Sequence, residues 1–218
     1  MNSAANAPTP RRRVPLAVKL VYTAFLAVLI PVYLHSYGPT NFLYFCDVAL
    51  LLTLAGIWLE SPLLVSMPAV GILIPQLLWI VDFVAGFFGF HPLHIAEYMF
   101  DDHKSLFLRG LSLFHGWLPL LLVWLIWRLG YDRRALIAWT PLAWALLLVC
   151  YFFMPGPGSH PEDSIVPVNI NYVFGLSDQK AQSWMSPHLY FAMVMLVLPL
   201  GIFWPTHVGL TKWFASRR

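Results

Sequence analysis

Residues 41–90 read NFLYFCDVALLLTLAGIWLESPLLVSMPAVGILIPQLLWIVDFVAGFFGF, and Asp47, Glu60 and Asp82 are the only charged side chains in the stretch. Glu60 and Ser61 divide it into two apolar runs, 41–59 and 62–90, each long enough to cross the hydrocarbon core of a bilayer as a helix. Pro68 and Pro75 inside the second run predict a tilted or kinked helix, which lipid tolerates when neighbouring helices satisfy the freed carbonyls.

The same criterion applied outward gives four further spans, 14–37, 106–129, 134–154 and 188–208. Over all 218 residues 59% are hydrophobic and only 11% charged, and the mean hydropathy is +0.69. These values lie outside the range of a soluble domain. The sequence therefore predicts an all-α fold, a polytopic transmembrane bundle of six helices forming a single domain over 14–218 behind a short tail at 1–13, whose first ten residues are expected to be disordered. The first span follows Arg11, Arg12 and Arg13 as a signal peptide would, but its apolar stretch is too long and no small-residue cleavage site follows, so it is expected to be a retained helix.

Basic residues set the expected orientation. With the N-terminus inside, ten of the 13 fall at cytoplasmic ends (Arg11, Arg12, Arg13, Lys19, Arg128, Arg133, Arg134, Lys212, Arg217 and Arg218), and Lys104, Arg109 and Lys180 fall opposite. That bias predicts a multi-pass protein of the plasma (bacterial inner) membrane with both termini cytoplasmic. The net charge of +3 then reflects topology and anionic headgroups. Nucleic acid is excluded as a partner, because no basic patch interleaved with aromatics stands clear of the membrane ends; membrane lipids are the expected partners.

On this topology seven of the eight histidines, both cysteines and the intramembrane Asp47 and Asp82 fall at the outer face. Ionisable groups in hydrocarbon cost several kcal/mol, on the order of 3, unless paired or hydrated, so function is expected there. If the second helix starts at Asn41, Cys46 lies about 7 to 9 Å below its start, level with His115 on the fourth, where Arg109, Ser112 and His115 follow one another along one side. Asp82 and Cys150 approach the same face, and His207 alone lies at the inner one. Two long outer segments, 91–105 and 155–187, connect the spans. NINYVFG in the second, where Val168, Ile170, Tyr172 and Phe174 alternate, is expected to be an ordered lid.

Each candidate has an ordinary reading beside a chemical one. Cys150, between Val149 and Tyr151, reads as a small packing residue. Cys46 has a neighbouring carboxylate and a histidine at its depth, and reads either as packing or as a nucleophile. His115 in SLFHGW reads either as a packing residue bonded to a carbonyl or as a base. Asp82 and Asp47 read most simply as partners of Arg109 or His115. HPLH and DDH bring His91, His94, Asp101, Asp102 and His103 into one segment, an alternative metal site whose spacing matches no compact zinc motif such as HExxH. Most of the ten tryptophans sit near span ends, as an interfacial belt does. No GxGxxG, P-loop, CxxC or GxSxG occurs, so no cofactor is expected.

Three segments together resemble the group that contains androgen-induced protein 1 and the transmembrane cysteine-dependent ether-phospholipid acyltransferase of animals. They are NFLYFCDVALLLT, LSLFHGWLPLLLVW, and LAWALLLVCYFF followed by NINYVFG, with Cys46, His115, Asn169, Asn171 and Tyr172 as the informative residues. The resemblance implies lipid acyl chemistry, in which Cys46 is the nucleophile and His115 the base. To that frame the residues themselves add Asp82 as the group that orients the imidazole and Asn169 or Asn171 as oxyanion donors, with Asp47, Arg109 and Ser112 as substrate contacts. Asp47 beside Cys46 departs from the pattern, since an ionised neighbour opposes thiolate formation. Three classes of function follow: a lipid acyltransferase or acyl hydrolase, a metal-dependent membrane hydrolase using the loop histidines, and a non-enzymatic protein that binds or transports a lipid or small solute.

Overall fold

A computed structural model describes residues 14–159 and 165–216. The tail at 1–13, and His160 in the long loop, fall outside the described residues. Within them the chain is helical, with no strand. The elements are α1 (Leu16–Ser36), α2 (Phe45–Leu59), α3 (Pro62–Gly86), α4 (Leu106–Ser112), α5 (Phe114–Leu129), α6 (Ala135–Phe153), α7 (Pro187–Val197) and α8 (Trp204–Ala215). α7 runs into α8 through a π-helical segment, Leu198–Phe203, that holds Pro199. The two therefore form one 29-residue span, longer than the predicted 188–208.

Helices or helix pairs occupy all six predicted spans. Five are long and apolar enough to cross a membrane, and α2 is a shorter apolar helix, an architecture compatible with a multi-pass membrane protein. Large side chains cover the outside: Leu16, Val21, Ile137, Phe153 and Leu200 are all more than 60% exposed. Apolar exposure of that extent is compatible with a lipid-facing surface.

α3 is the hub. It packs against α2, α5, α6 and α8, and every residue from Val65 to Ile72 is buried, so this half of the helix has neighbours on all sides. Pro68 and Pro75 are accommodated within one continuous helix. Its start follows from Ser61, whose hydroxyl accepts from the Leu64 amide at 3.4 Å, and from Pro62, which needs no acceptor at the first helical position.

Two predicted boundaries move, and both moves shape the functional end. Asn41 lies in a 3₁₀ turn, Pro39–Leu43, and α2 begins at Phe45. The fourth span is broken at Leu113 into α4 and α5. Cys46 is thus the second residue of α2 and His115 the second of α5. The expected depth of 7 to 9 Å for Cys46 gives way to a place in a first helical turn.

Candidate functional site

At the end of the bundle where α1 and α3 finish and α2 and α5 begin, a partly open cavity of about 770 Å³ lies between the helices and both long loops. Cys46 and Asp47 from α2, Ser112 from α4 and His115 from α5 all reach its wall. So do His103, Asn171 and Tyr172 from the loops. The chain thus gathers into one chamber side chains as far apart in sequence as Cys46 and Tyr172.

His115 is held on three sides. Its ring stacks on Phe114 at 4.1 Å and on Trp79 at 5.0 Å between centroids. Its Nδ1 lies 2.8 Å from the Ser112 carbonyl oxygen. A carbonyl only accepts, so Nδ1 carries the proton and Nε2 keeps the basic lone pair. The break at Leu113 is what places the Ser112 carbonyl beside the ring.

The Cys46 thiol donates to Asp47 Oδ2 at 3.7 Å, and the Asn41 amide donates to the same oxygen at 3.3 Å. Cys46 and His115 share the chamber, but the hydrogen bond of each goes elsewhere. Asp47 is 3% exposed and its Oδ1 has no hydrogen-bond partner. Gln76 Oε1, also buried on the wall, lacks a partner among the described residues too.

Asp82 does not orient His115. Its Oδ1 accepts from the Leu93 amide at 2.8 Å, and its Oδ2 accepts from Ile95 at 2.9 Å and Ala96 at 2.8 Å. His91 stands 3.9 Å from Oδ2. The carboxylate is an anchor for the 91–105 loop. Arg109, the expected ion partner, donates instead to the Met99 carbonyl at 3.1 Å, and it is not part of the cavity wall. Ser112 is on the wall, with its hydroxyl 2.9 Å from that of Tyr33.

The asparagines part company in the same way. Asn169 is fully buried and used up by its own loop: its amide donates to the Gly175 and Ser177 carbonyls, and its oxygen accepts from the Phe174 amide. No oxyanion donor is left there. Asn171 instead clamps loop to helix, its oxygen accepting from the Phe45 amide at 3.0 Å and its amide donating to the Leu43 carbonyl at 2.9 Å. It caps the first turn that carries Cys46. The NINYVFG segment forms a 3₁₀ turn with Asn169, Asn171 and Tyr172 at positive φ. Ile170 and Val173 are its buried apolar residues, so the alternation does not survive. Asn171→Ala is expected to cost about 2 kcal/mol, from a lost cap and a left-handed position that alanine resists. Asn171→Gly should cost less, and thermal unfolding of the purified variants checks both.

The loop histidines are not brought together as a metal set. His91 faces Asp82, His94 pairs with Glu97 at 3.1 Å, and His103 turns to the cavity. Among the described residues no three His, Cys, Asp or Glu side chains are grouped to hold a metal ion. Cys150 is fully buried with Asn171 Nδ2 3.5 Å from its sulfur. His207 meets the Tyr131 hydroxyl at 2.6 Å.

Tyr33, Tyr37, Tyr44, Gln76, Trp79 and Tyr98 complete the wall beyond the residues that the sequence singles out. Gln76 carried a usable signal, an amide in the middle of an apolar span. On the same wall, Lys104 lies 5.0 Å over the Tyr98 ring, and burial holds its ammonium below the usual lysine range. Compared with known proteins, the chain matches no family model, no curated protein and no solved structure.

Proposed function

We propose that this is a membrane-embedded enzyme that admits an acyl-bearing lipid to the cavity and cleaves or transfers the acyl group through Cys46 and His115. The observation that carries the reading is one lipid-sized chamber that holds a thiol at a helix start together with an imidazole whose free lone pair is fixed at Nε2. The thiol attacks the acyl carbonyl, its proton passing to Nε2 as the Cys46 side chain turns from Asp47. The imidazolium returns that proton to the departing alcohol, leaving a thioester on Cys46. Water or a second lipid alcohol then opens the thioester. In the first turn of α2 the Phe45 amide donates to Asn171 and the Asp47 amide to the Tyr44 carbonyl, which leaves the Cys46 amide as the oxyanion donor. The basic-residue bias supports an outer-leaflet position for this chamber.

The test is covalent capture by an acyl-thioester or acyl-phosphonate probe in lipid vesicles. Labelling is expected to fall at least about tenfold in both Cys46→Ala and His115→Ala, with unfolding temperatures close to wild type. Undiminished labelling in Cys46→Ala would remove the nucleophile and the reading with it.

One observation favours a second reading, a lipid-binding protein without turnover: the thiol is bonded to Asp47 and not to His115. On that reading native mass spectrometry finds a lipid retained in the cavity, and the lipid pool stays unchanged over time.

A further inference from the structure

The polar lining of the cavity is chemically incomplete. Asp47 and Gln76 are each 3% exposed, and Asp47 Oδ1 and Gln76 Oε1 both lack a donor. Oδ2 is engaged by Asn41 and Cys46, so Oδ1 is the open arm of the carboxylate. Among the described residues the ion pairs are Lys19 with Glu60, His91 with Asp82, His94 with Glu97 and Arg134 with Asp132. None of them supplies Asp47 with a cation. A buried carboxylate without a counter-charge, lining the same cavity as a second unpaired acceptor, calls for a group that brings both hydrogen-bond donors and positive charge.

We propose that the cavity recognises the primary ammonium head of an amphiphile, held by Asp47 Oδ1 and Gln76 Oε1. A primary ammonium has three N–H donors and one charge, enough for both orphaned oxygens. A trimethylammonium head has the charge but no donor, and an alcohol has a donor but no charge. Tyr33 and Tyr37 add aromatic rings to the same wall, which favour a cation. Ile72, Pro75 and Leu198 line it with apolar surface for a chain. The proposal names the substrate class of the chamber and rests on reading that chamber as an amphiphile site. It does not require that Cys46 react.

The experiment titrates the full chain, in nonionic detergent, with dodecylamine, dodecyltrimethylammonium, dodecanol and butylamine, following tryptophan fluorescence and the unfolding temperature. Dodecylamine is expected to bind about tenfold more tightly than the trimethyl compound or the alcohol. In Gln76→Leu and in Asp47→Asn its advantage over dodecanol should shrink below about threefold. Gln76→Leu removes an acceptor that is already unpaired, so it tests the site even if Asp47→Asn folds poorly. Butylamine binding much more weakly than dodecylamine assigns the site to lipids; equal binding assigns the same ammonium recognition to soluble amines. Equal affinity for dodecylamine and dodecanol in the wild type overturns the proposal, as does an amine preference that survives both substitutions. An intact amine preference in a protein whose Cys46 captures no acyl probe overturns only the acyl-transfer reading.

Discussion

Asp82→Ala is expected to destabilise the protein by about 4 kcal/mol, the largest loss from any single polar side chain here. The carboxylate is fully buried and accepts from three backbone amides within four residues, Leu93, Ile95 and Ala96. Hydrogen bonds to a charged acceptor contribute about 1.5 to 3 kcal/mol each, and the three are not additive because they share one anion. Ala96 is fully buried and its amide has no route to water, whereas Leu93 and Ile95 regain some hydration. Asp82→Asn should recover little, since it offers one oxygen to three donors and turns an NH2 group toward them. The damage is local in origin. Hydrogen exchange at those three amides should quicken by more than it does elsewhere, and the 91–105 loop should become the first site of proteolysis. Arg109→Met separates this account from an Asp82–Arg109 ion pair. A pair would make the two substitutions equally costly, whereas Arg109 donates only to the Met99 carbonyl and its loss should cost far less. A melting temperature for Asp82→Ala within a degree or two of wild type would show that the loop does not depend on the anchor.

What the sequence disclosed and what it hid divide along the range of the interactions. Hydropathy depends on composition over about 20 residues, so the spans were legible, including α6, where the prediction of 134–154 meets Ala135–Phe153. The gathering of polar residues at one end was legible too, because expense in lipid is a property of each residue. Partners were not. The sequence offers Asp82 a choice of Arg109 or His115, and the structure gives it three backbone amides, which no side-chain pattern encodes. Asn171 is likewise assigned by a contact 126 positions away, at Phe45. The break at Leu113 has no proline or glycine at the site to announce it, although Gly110 and Gly116 flank it. The tyrosines of the wall were hidden for another reason: near span ends an aromatic residue reads as belt, and only the tertiary fold turns Tyr33 and Tyr98 inward. Cys46 and His115 were legible as residues and as neighbours of one chamber. Their failure to bond each other depends on side-chain rotamers, which lie beyond any pattern.

Gly71→Ala is expected to cost about 3 kcal/mol or more, the largest effect of a single added methyl group. A Cβ at Gly71 would fall inside the indole of Trp139, against Cε2, Cζ2 and Nε1. Trp139 is fully buried, with Phe45 and Phe203 edge-on to it at 6.0 and 6.3 Å, so the ring has nowhere to retreat. In lipid the apolar surfaces of two helices gain little from leaving their surroundings, and close approach carries the association. The contact between α3 and α6 therefore depends on a residue with no side chain at Gly71. The ring that must move touches Phe45, the neighbour of Cys46, so the strain reaches the first turn of α2 and the acyl-probe labelling should fall with stability. Trp139→Phe tests the steric cause directly. The Trp139 Nε1 proton has no acceptor, so this substitution sacrifices packing and no hydrogen bond, at about 2 kcal/mol. In the double variant the smaller ring leaves room for the new methyl group. Its destabilisation should be smaller than the sum of the single losses by about 2 kcal/mol, measured as a coupling energy from reversible unfolding. Strict additivity would mean that the alanine acts through the α3 backbone, and the close packing of Gly71 on Trp139 would no longer explain why this position is glycine.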